Sequence, residues 1–147
     1  MTNSEKKRIL RDYKRIDAQI RADYAELDDL VTLIKSPNLD GLPSSPNGER
    51  DLSDLLIKKD ELLARILDDI YRKERAKRRI DDALDAMLSE TERTLLILRY
   101  KRGMTFEQIA EELEYSWRHT LRLHGSALAH FMEENNERLA KRASDGD

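Results

Sequence analysis

A short run of side chains near residue 120 has the types and spacing needed to read a nucleic acid. Arg118, His119 and Arg122 follow Ser116, a residue type that often caps the N-terminus of a helix. On that helix the three side chains point away from the apolar positions, near its front. Arg can donate two hydrogen bonds to a guanine edge, and His can donate or accept one. The pattern predicts contacts with DNA bases in a major groove.

Neighbouring residues fit contacts with the sugar-phosphate backbone. Lys101 and Arg102 end the preceding helix, where their charges could hold phosphates and so position the protein without reading sequence. A helix that starts at Ser116 also offers free backbone N–H groups to a phosphate. Trp117 could stack on DNA or close the small core, and we favour the core. The predicted DNA-binding residues are Lys101, Arg102, Thr105, Ser116, Trp117, Arg118, His119 and Arg122.

The elements that position these residues are two short helices joined by a turn. Gly103 breaks the helix that ends in LRYKR, and Thr105 with Gln108 forms a T-x-x-Q capping box for the next helix. Glu114 and Tyr115 make the turn before Ser116. The inner face of the first short helix is predicted to be Ile109, Ala110 and Leu113.

The second short helix needs an apolar face as well. Its inner positions are predicted to be Trp117 or Thr120, followed by Leu121, His124, Leu128 and Phe131. Because His124 lies between Leu121 and Leu128, a hydrogen-bonded core histidine is a better interpretation than a metal ligand. His130 is predicted to lie at the surface.

Two long amphipathic helices precede this region. The first is predicted from Glu5 to Lys35 with Ser4 as N-cap, and the second from about residues 52–54 to Leu88. Residues 36–51 hold all three prolines and are predicted to be a loop. The first apolar seam is Ile9, Tyr13, Ile16, Ile20, Leu27, Val31 and Ile34. The second is Leu52, Leu56, Leu63, Ile66, Ile70, Ile80, Leu84 and Met87.

Lys73 and Lys77 interrupt the second seam within the basic run RKERAKRR. Like charges at seam positions oppose close association of helices unless acidic side chains of a partner meet them. The other interpretation is that the second helix extends beyond the helix it packs against, so that Lys73 and Lys77 are solvated.

Composition limits the class of protein. Charged residues make up 39% of the 147 residues and aromatic residues 5%, which is typical of long solvated helices with narrow apolar stripes. The chain has no cysteine, so disulfides and thiolate metal sites are excluded. The first ten residues include several charged side chains and no apolar run, so we do not expect a signal peptide. No segment is apolar for long enough to predict a membrane span. The expected location is therefore the cytoplasm.

The predicted fold class is all-α, with a long antiparallel helical hairpin of the coiled-coil kind before a C-terminal helix-turn-helix. Residues 1–88 would form the hairpin and serve dimerisation or positioning. Residues 89–134 would form the DNA-binding domain, and residues 135–147 a polar tail. Residues 89–132 hold six Lys or Arg and six Asp or Glu, so only modest non-specific affinity for DNA is expected.

The run LSETERTLLILRYKRGMTFEQIAEELEYS, followed by RLHGSAL, resembles region 4 of sigma-70 type factors. With the two long helices and the loop between them, the layout is similar to the ArpU/RinA-like regulators of phages of low-GC Gram-positive bacteria. The resemblance implies a helix-turn-helix fold and control of late or export genes in a prophage. Glu114 stands where sigma-like sequences usually have Gly. No segment resembles sigma region 2, so promoter melting is not implied.

The sequence leaves three functions open, none of them enzymatic and none with a cofactor. The first is a dimeric transcriptional regulator that binds double-stranded DNA. The second is a DNA-recognition subunit of the small-terminase kind, which a ring of eight or more chains would support. The third is a sigma-like module that binds RNA polymerase through the acidic face of the first short helix. We favour the first function, because the capped unit from Thr105 to Phe131 carries it.

Overall fold

The computed structural model describes residues 1–35 and 48–133, and within these ranges the chain is helical and contains no β-strand. This confirms the prediction of an all-α chain. The long helices are α1 (Asn3–Lys35) and α2 (Gly48–Asp85), and the short ones are α3 (Glu90–Leu96), a π-helical turn (Ile97–Lys101), α4 (Phe106–Leu113) and α5 (Trp117–His130).

The predicted limits of the long helices need correction at the start of α1 and at both ends of α2. The N-cap of α1 is Thr2 and not Ser4, because the Thr2 hydroxyl accepts a hydrogen bond from the Glu5 backbone N–H at 3.2 Å. The Glu5 carboxylate in turn accepts one from the Thr2 backbone N–H at 2.7 Å, which completes a capping box. Helix α2 begins at Gly48, before the predicted start, and ends at Asp85, before the predicted end at Leu88.

Part of the predicted loop and the polar tail lie outside the described residues. The described chain divides into two compact units. One consists of Met1–Ile16 and the chain from Ala76 onward, and the other of Asp17–Arg75. Each long helix therefore contributes to both units.

The first unit contains the larger core. The start of α1 and the end of α2 pack here with α3, the π-helical turn, α4 and α5. Its fully buried members include Leu10, Leu95, Leu96, Ile109, Ala127 and Phe131, each 0% exposed. Leu10 was absent from the predicted seam, but the predicted members Tyr13 and Ile9 belong to this core or pack against it, so the buried face of α1 contains the predicted seam and is wider than predicted.

The second unit has a small core of Leu30, Ile66 and Ile70, with Leu27 and Leu63 packed against it. In this unit the ammonium of Lys73 pairs with the carboxylate of Asp23 at 2.6 Å. The carboxylate that compensates the charge of Lys73 at this seam position therefore comes from Asp23 on α1 of the same chain. Leu56 was predicted in the seam but is 51% exposed, so the apolar stripe of α2 does not stay buried toward its N-terminus.

Candidate nucleic-acid interface

The start of α4 is fixed by a break and a capping box. After the π-helical turn, Gly103 takes a left-handed conformation with φ of 71°. The positive φ favours glycine at this position, and the end of the flexible Lys14 side chain lies where a Cβ of Gly103 would stand, with its Cε 3.1 Å away. Thr105 and Gln108 then exchange hydrogen bonds of 2.9 and 3.2 Å, as the capping box predicted.

The turn between α4 and α5 is closed by a left-handed residue. Glu114 has φ of 58° and ψ of 38°. The backbone N–H of Tyr115 donates to the carbonyl of Ala110 at 2.9 Å, and that of Glu114 to Glu111 at 3.2 Å. These two bonds are the Schellman pattern, which satisfies the last carbonyls of α4. Glu114 therefore adopts the conformation that glycine would supply without steric cost, at about 1 kcal/mol.

The front of α5 is exposed. The Ser116 hydroxyl accepts a hydrogen bond from the His119 backbone N–H at 3.1 Å, as expected for an N-cap. Arg118 and Arg122 are exposed, and within the described residues neither has an ion pair. The His119 ring makes an edge contact with Tyr115, with centroids 4.7 Å apart.

Trp117 corrects one prediction. Its side chain is 55% exposed, so it does not close the core. Thr120, the alternative that the spacing offered, is 0% exposed and its hydroxyl donates to the Ser116 carbonyl at 2.9 Å. The smaller Thr120 side chain is therefore the buried residue in the first turn of α5, and the large indole of Trp117 lies outside, because a tightly packed core accepts little extra volume.

The remaining inner positions of α5 are largely as predicted. His124, Leu128 and Phe131 are buried, and Ala127 joins them at 0% exposure. Leu121 is only half-buried and lies outside the core cluster, whereas Leu123 packs against that cluster. Ile109, Ala110 and Leu113 form the inner face of α4 as expected.

His124 is a core residue held by hydrogen bonding and packing. Its Nε2 lies 2.8 Å from the hydroxyl of Tyr100, and the Phe106 ring meets its ring edge-on at 4.9 Å. Burial, together with the smaller effect of the positive charges of Lys7, Arg99 and Arg11, lowers the pKa of His124 to about 4. The imidazole is thus neutral at pH 7. Burial likewise raises the pKa of Tyr100.

The two cations predicted before the break lie in different surroundings. Lys101 pairs its ammonium with the Asp81 carboxylate and lies 4.9 Å from the centre of the Tyr13 ring. Because that charge is already compensated, Lys101 is a weaker candidate for a phosphate contact than the sequence suggested. Arg102 is exposed, and the Thr105 hydroxyl, also exposed, is occupied by the cap.

A buried carboxylate that the sequence did not reveal ties α3 to α5. Glu92 is 6% exposed, and its two oxygens contact the Ser126 hydroxyl at 2.6 Å and His130 Nδ1 at 2.8 Å. Ser89 caps α3 by accepting from the Glu92 backbone N–H at 3.3 Å. His130 is therefore a surface residue with a structural partner. The S-x-x-E spacing indicates the cap at Ser89, but it does not reveal the contacts of the Glu92 side chain with α5.

Basic residues of α1 are a second feature that sequence reasoning missed. Lys7 and Arg11 act electrostatically on His124, and Lys14 lies against Gly103. Their spacing of four and three residues was visible in the sequence, but only the packing of α1 shows that they reach this region. By contrast, Glu107, Glu111 and Glu112 are exposed on α4.

Across residues 1–35 and 48–133, no group of three or more His, Asp or Glu side chains is arranged to hold a metal ion. In the same part of the chain, no helix is both long and apolar enough to cross a membrane.

Comparison with known proteins identifies a family whose function is unknown. A family model described as a protein of unknown function (DUF722) matches residues 4–130, which is most of the chain. No curated protein and no solved structure matches it.

Proposed function

Since the chain belongs to the DUF722 family, whose function is unknown, we propose from its structure that it is a sequence-specific DNA-binding regulator of transcription. In this proposal α4 and α5 form a helix-turn-helix, and α5 enters the major groove. The observation that carries the proposal is the exposed front of α5. There Arg118 and Arg122 have no ion pair within the described residues, on a helix whose start is fixed by the Ser116 cap.

The dimensions of α4 and α5 support this assignment. Helix α4 has 8 residues and α5 has 14, which is about 21 Å at 1.5 Å per residue. The turn between them, Glu114 to Ser116, is short and closed by hydrogen bonds, so the second helix is held rigidly on the first. A reading helix needs this rigidity, because a bidentate arginine contact tolerates little displacement.

The proposal assigns a role to each exposed side chain. Arg118 and Arg122 donate to base edges, and His119 adds one hydrogen bond from a ring oriented by Tyr115. Trp117, being exposed, lies against the sugar-phosphate backbone or a thymine methyl. Ser116 and Arg102 contact phosphates, whereas Thr105 keeps its capping role and Lys101 its pairing with Asp81.

The long helices supply the frame for a dimer. Asp23 pairs with Lys73, and Leu30 packs with Ile66, so positions rise along α1 as they fall along α2. That order supports an antiparallel hairpin closed within one chain. A homodimer joined through this hairpin would set two reading helices at a fixed distance, as palindromic operators require.

The biological setting of the proposal is a prophage or phage, where a regulator of this kind would control late genes from the cytoplasm of its host. This part rests on the resemblance of residues 88–131 to sigma region 4 and of the whole layout to ArpU/RinA-like regulators.

A binding selection tests the proposal. Purified full-length protein would be used to enrich duplexes from a randomised library at low salt, followed by sequencing. The double variant Arg118→Ala/Arg122→Ala is compared with a matched control, Arg8→Ala/Arg15→Ala, on α1. The control removes the same charge from exposed residues that stand beside acids, since Arg15 pairs with Asp12 at 3.1 Å and Arg8 is close enough to act on the Glu5 carboxylate.

We expect wild type and control to enrich one short motif that the α5 variant fails to enrich. Loss of a base-reading arginine weakens specific binding by about 1–3 kcal/mol. Enrichment of no motif by well-folded wild-type protein would refute sequence-specific binding.

One observation favours a second function. Glu107, Glu111 and Glu112 are exposed on α4, and none has an ion pair within the described part of the chain. This acidic surface fits a basic protein partner such as RNA polymerase. The test measures retention of the protein on immobilised polymerase in the absence of DNA. Retention of wild type that is lost in Glu107→Gln/Glu111→Gln would support this function. Equal retention of wild type and variant would count against it.

A further inference from the structure

A line of basic side chains runs along one side of α1 in the first unit. Lys7, Arg11 and Lys14 are spaced by four and three residues and therefore lie on one side of the helix. Arg11 and Lys14 are exposed and Lys7 is half-buried. Within the residues that the structure describes, none of the three has an ion pair.

This line continues onto the segment that leads into α4. The ammonium of Lys14 lies against Gly103, so it stands one residue from Arg102, which is exposed. Arg99 donates to the Met104 carbonyl at 2.9 Å and lies 4.3 Å from the centre of the Phe106 ring. Arg99 thereby stiffens the segment between Gly103 and α4. Packing of α1 thus brings its cations to residues about 90 positions away in sequence.

The common electrostatic effect of these cations supports their proximity. Lys7, Arg11 and Arg99 all lower the pKa of His124, and Arg11 and Arg99 also act on Tyr100. All three positive charges therefore lie within electrostatic reach of the His124 ring. Four carboxylates of the same unit, Glu107, Glu111, Glu112 and Glu114, stand on or just after α4.

We propose that Lys7, Arg11, Lys14 and Arg102 form a phosphate-binding surface, the α1 basic surface, that holds the DNA backbone beside the start of α4. The inference rests on the proposed function and adds to it. Phosphate contacts fix position and register, whereas base contacts select the sequence. A chain with net charge −3 and an acidic α4 needs a local concentration of positive charge to approach DNA, and the α1 basic surface supplies it.

The surface has a measurable signature that a base-reading residue lacks. Each phosphate neutralised by Lys or Arg adds about 0.9 to the slope of log affinity against log salt concentration. Loss of one such phosphate contact weakens binding to every DNA sequence by the same factor. At 0.1 M salt the same relation gives about a tenfold loss of affinity for each contact.

The test compares Arg11→Gln/Lys14→Gln with Arg8→Gln/Arg15→Gln, which removes two charges from the same helix at residues that stand beside acids. A charge-keeping variant, Arg11→Lys/Lys14→Arg, controls for packing, and Arg102→Gln probes the surface outside α1. Affinity of each folded variant is measured between 0.05 and about 0.3 M salt, a range in which such slopes are large. The probes are a duplex selected by wild type and a duplex of random sequence.

We expect Arg11→Gln/Lys14→Gln to flatten the salt slope by about 2 and to lower affinity for both duplexes by the same factor. The Arg8/Arg15 control and the charge-keeping variant should behave as wild type, and Arg102→Gln should flatten the slope by about 1.

Two results would overturn the inference and leave the proposed function standing, provided that binding still depends on Arg118 and Arg122. One is wild-type affinity and slope in Arg11→Gln/Lys14→Gln. The other is a loss confined to the selected duplex, which would make these residues base readers. Failure of the wild type to bind any duplex would instead overturn both proposals.

Discussion

The phenolic oxygen of Tyr100 lies 2.8 Å from Nε2 of His124, and this buried hydrogen bond joins the π-helical turn to the middle of α5. The helix that reads DNA in our proposal, α5, is therefore anchored by the neutral imidazole of His124, which lies one turn after Thr120. Protonation of that imidazole would place a charge in a buried site that already faces Lys7, Arg11 and Arg99.

This site predicts a loss of stability in mild acid. The pKa of His124 is about 4 in the folded chain against 6.5 for an ordinary histidine. Between pH 6.5 and 4 the unfolded chain binds a proton that the folded chain does not, so unfolding becomes easier as pH falls through this window. The full effect is about 3 kcal/mol, at 1.36 kcal/mol per pKa unit.

Denaturant unfolding at several pH values checks this expectation. His124→Gln can still pair with Tyr100 but does not titrate, so its stability should fall less between pH 6.5 and 4 than that of wild type. Carboxylates titrate in both proteins and cancel in the comparison. Parallel profiles for the two proteins would contradict the assigned role of His124.

Replacing Glu114 should stabilise the turn. Glu114→Gly relieves a left-handed conformation, with φ of 58°, that costs a non-glycine residue about 1 kcal/mol. It also removes an acid beside the negative C-terminus of α4. After the added chain entropy of glycine, we expect a gain of about 0.5–1 kcal/mol in the free energy of unfolding. Glu114→Ala removes the same charge but keeps the strain, so a gain in both variants would assign the effect to charge.

The corrected register of α5 can be tested with two leucines. Leu128 is 3% exposed within the main core, and Leu121 is half-buried outside it. Leu128→Ala should therefore cost about 2–5 kcal/mol of stability, and Leu121→Ala less than about 1.5 kcal/mol. Thermal or urea unfolding measures both. A loss of about 2–5 kcal/mol for Leu121→Ala as well would restore the core position that the sequence predicted for Leu121.

Trp117 provides a label-free probe of DNA contact. It is the single tryptophan of the chain and is 55% exposed. Acrylamide should quench its fluorescence efficiently in free protein and less in a complex with a selected duplex. Trp117→Ala should change stability by no more than about 0.5 kcal/mol, as expected for a surface residue, and should weaken DNA binding. Unchanged quenching in a saturated complex would place the front of α5 away from DNA.

The proposed dimer can be tested on α2. Leu67 and Tyr71 lie one turn apart in the second unit and are 49% and 64% exposed, which leaves apolar surface for a partner copy. Leu67→Gln/Tyr71→Gln should weaken association on the order of a hundredfold, since each buried side chain contributes about 1.5–3 kcal/mol.

Native mass spectrometry measures the change, with Arg65→Gln/Arg75→Gln at exposed positions of the same helix as control. A monomeric wild type would refute the dimer. A ring of eight or more chains would favour DNA packaging over transcription.

The sequence by itself determined the helical class, the break at Gly103 and the capping roles of Thr105 and Ser116. Such features depend on residues three or four positions apart, whose hydrogen bonds form wherever the chain is placed. The core role of His124 was also predictable, because its neighbours at helical spacing are apolar.

Only the tertiary structure decided which partner each longer-range side chain meets. Lys6 is 1% exposed and donates a hydrogen bond to the Ala129 carbonyl at 2.8 Å. Lys101, which the sequence predicted as a phosphate contact, pairs with Asp81. Trp117 lies outside the core, and Thr120 is the residue of the first turn of α5 that is buried. A repeat of 3.6 residues gives the apolar stripe of a helix but not the neighbour that covers it. Burial and ion pairing are therefore settled by packing between segments that are distant in sequence.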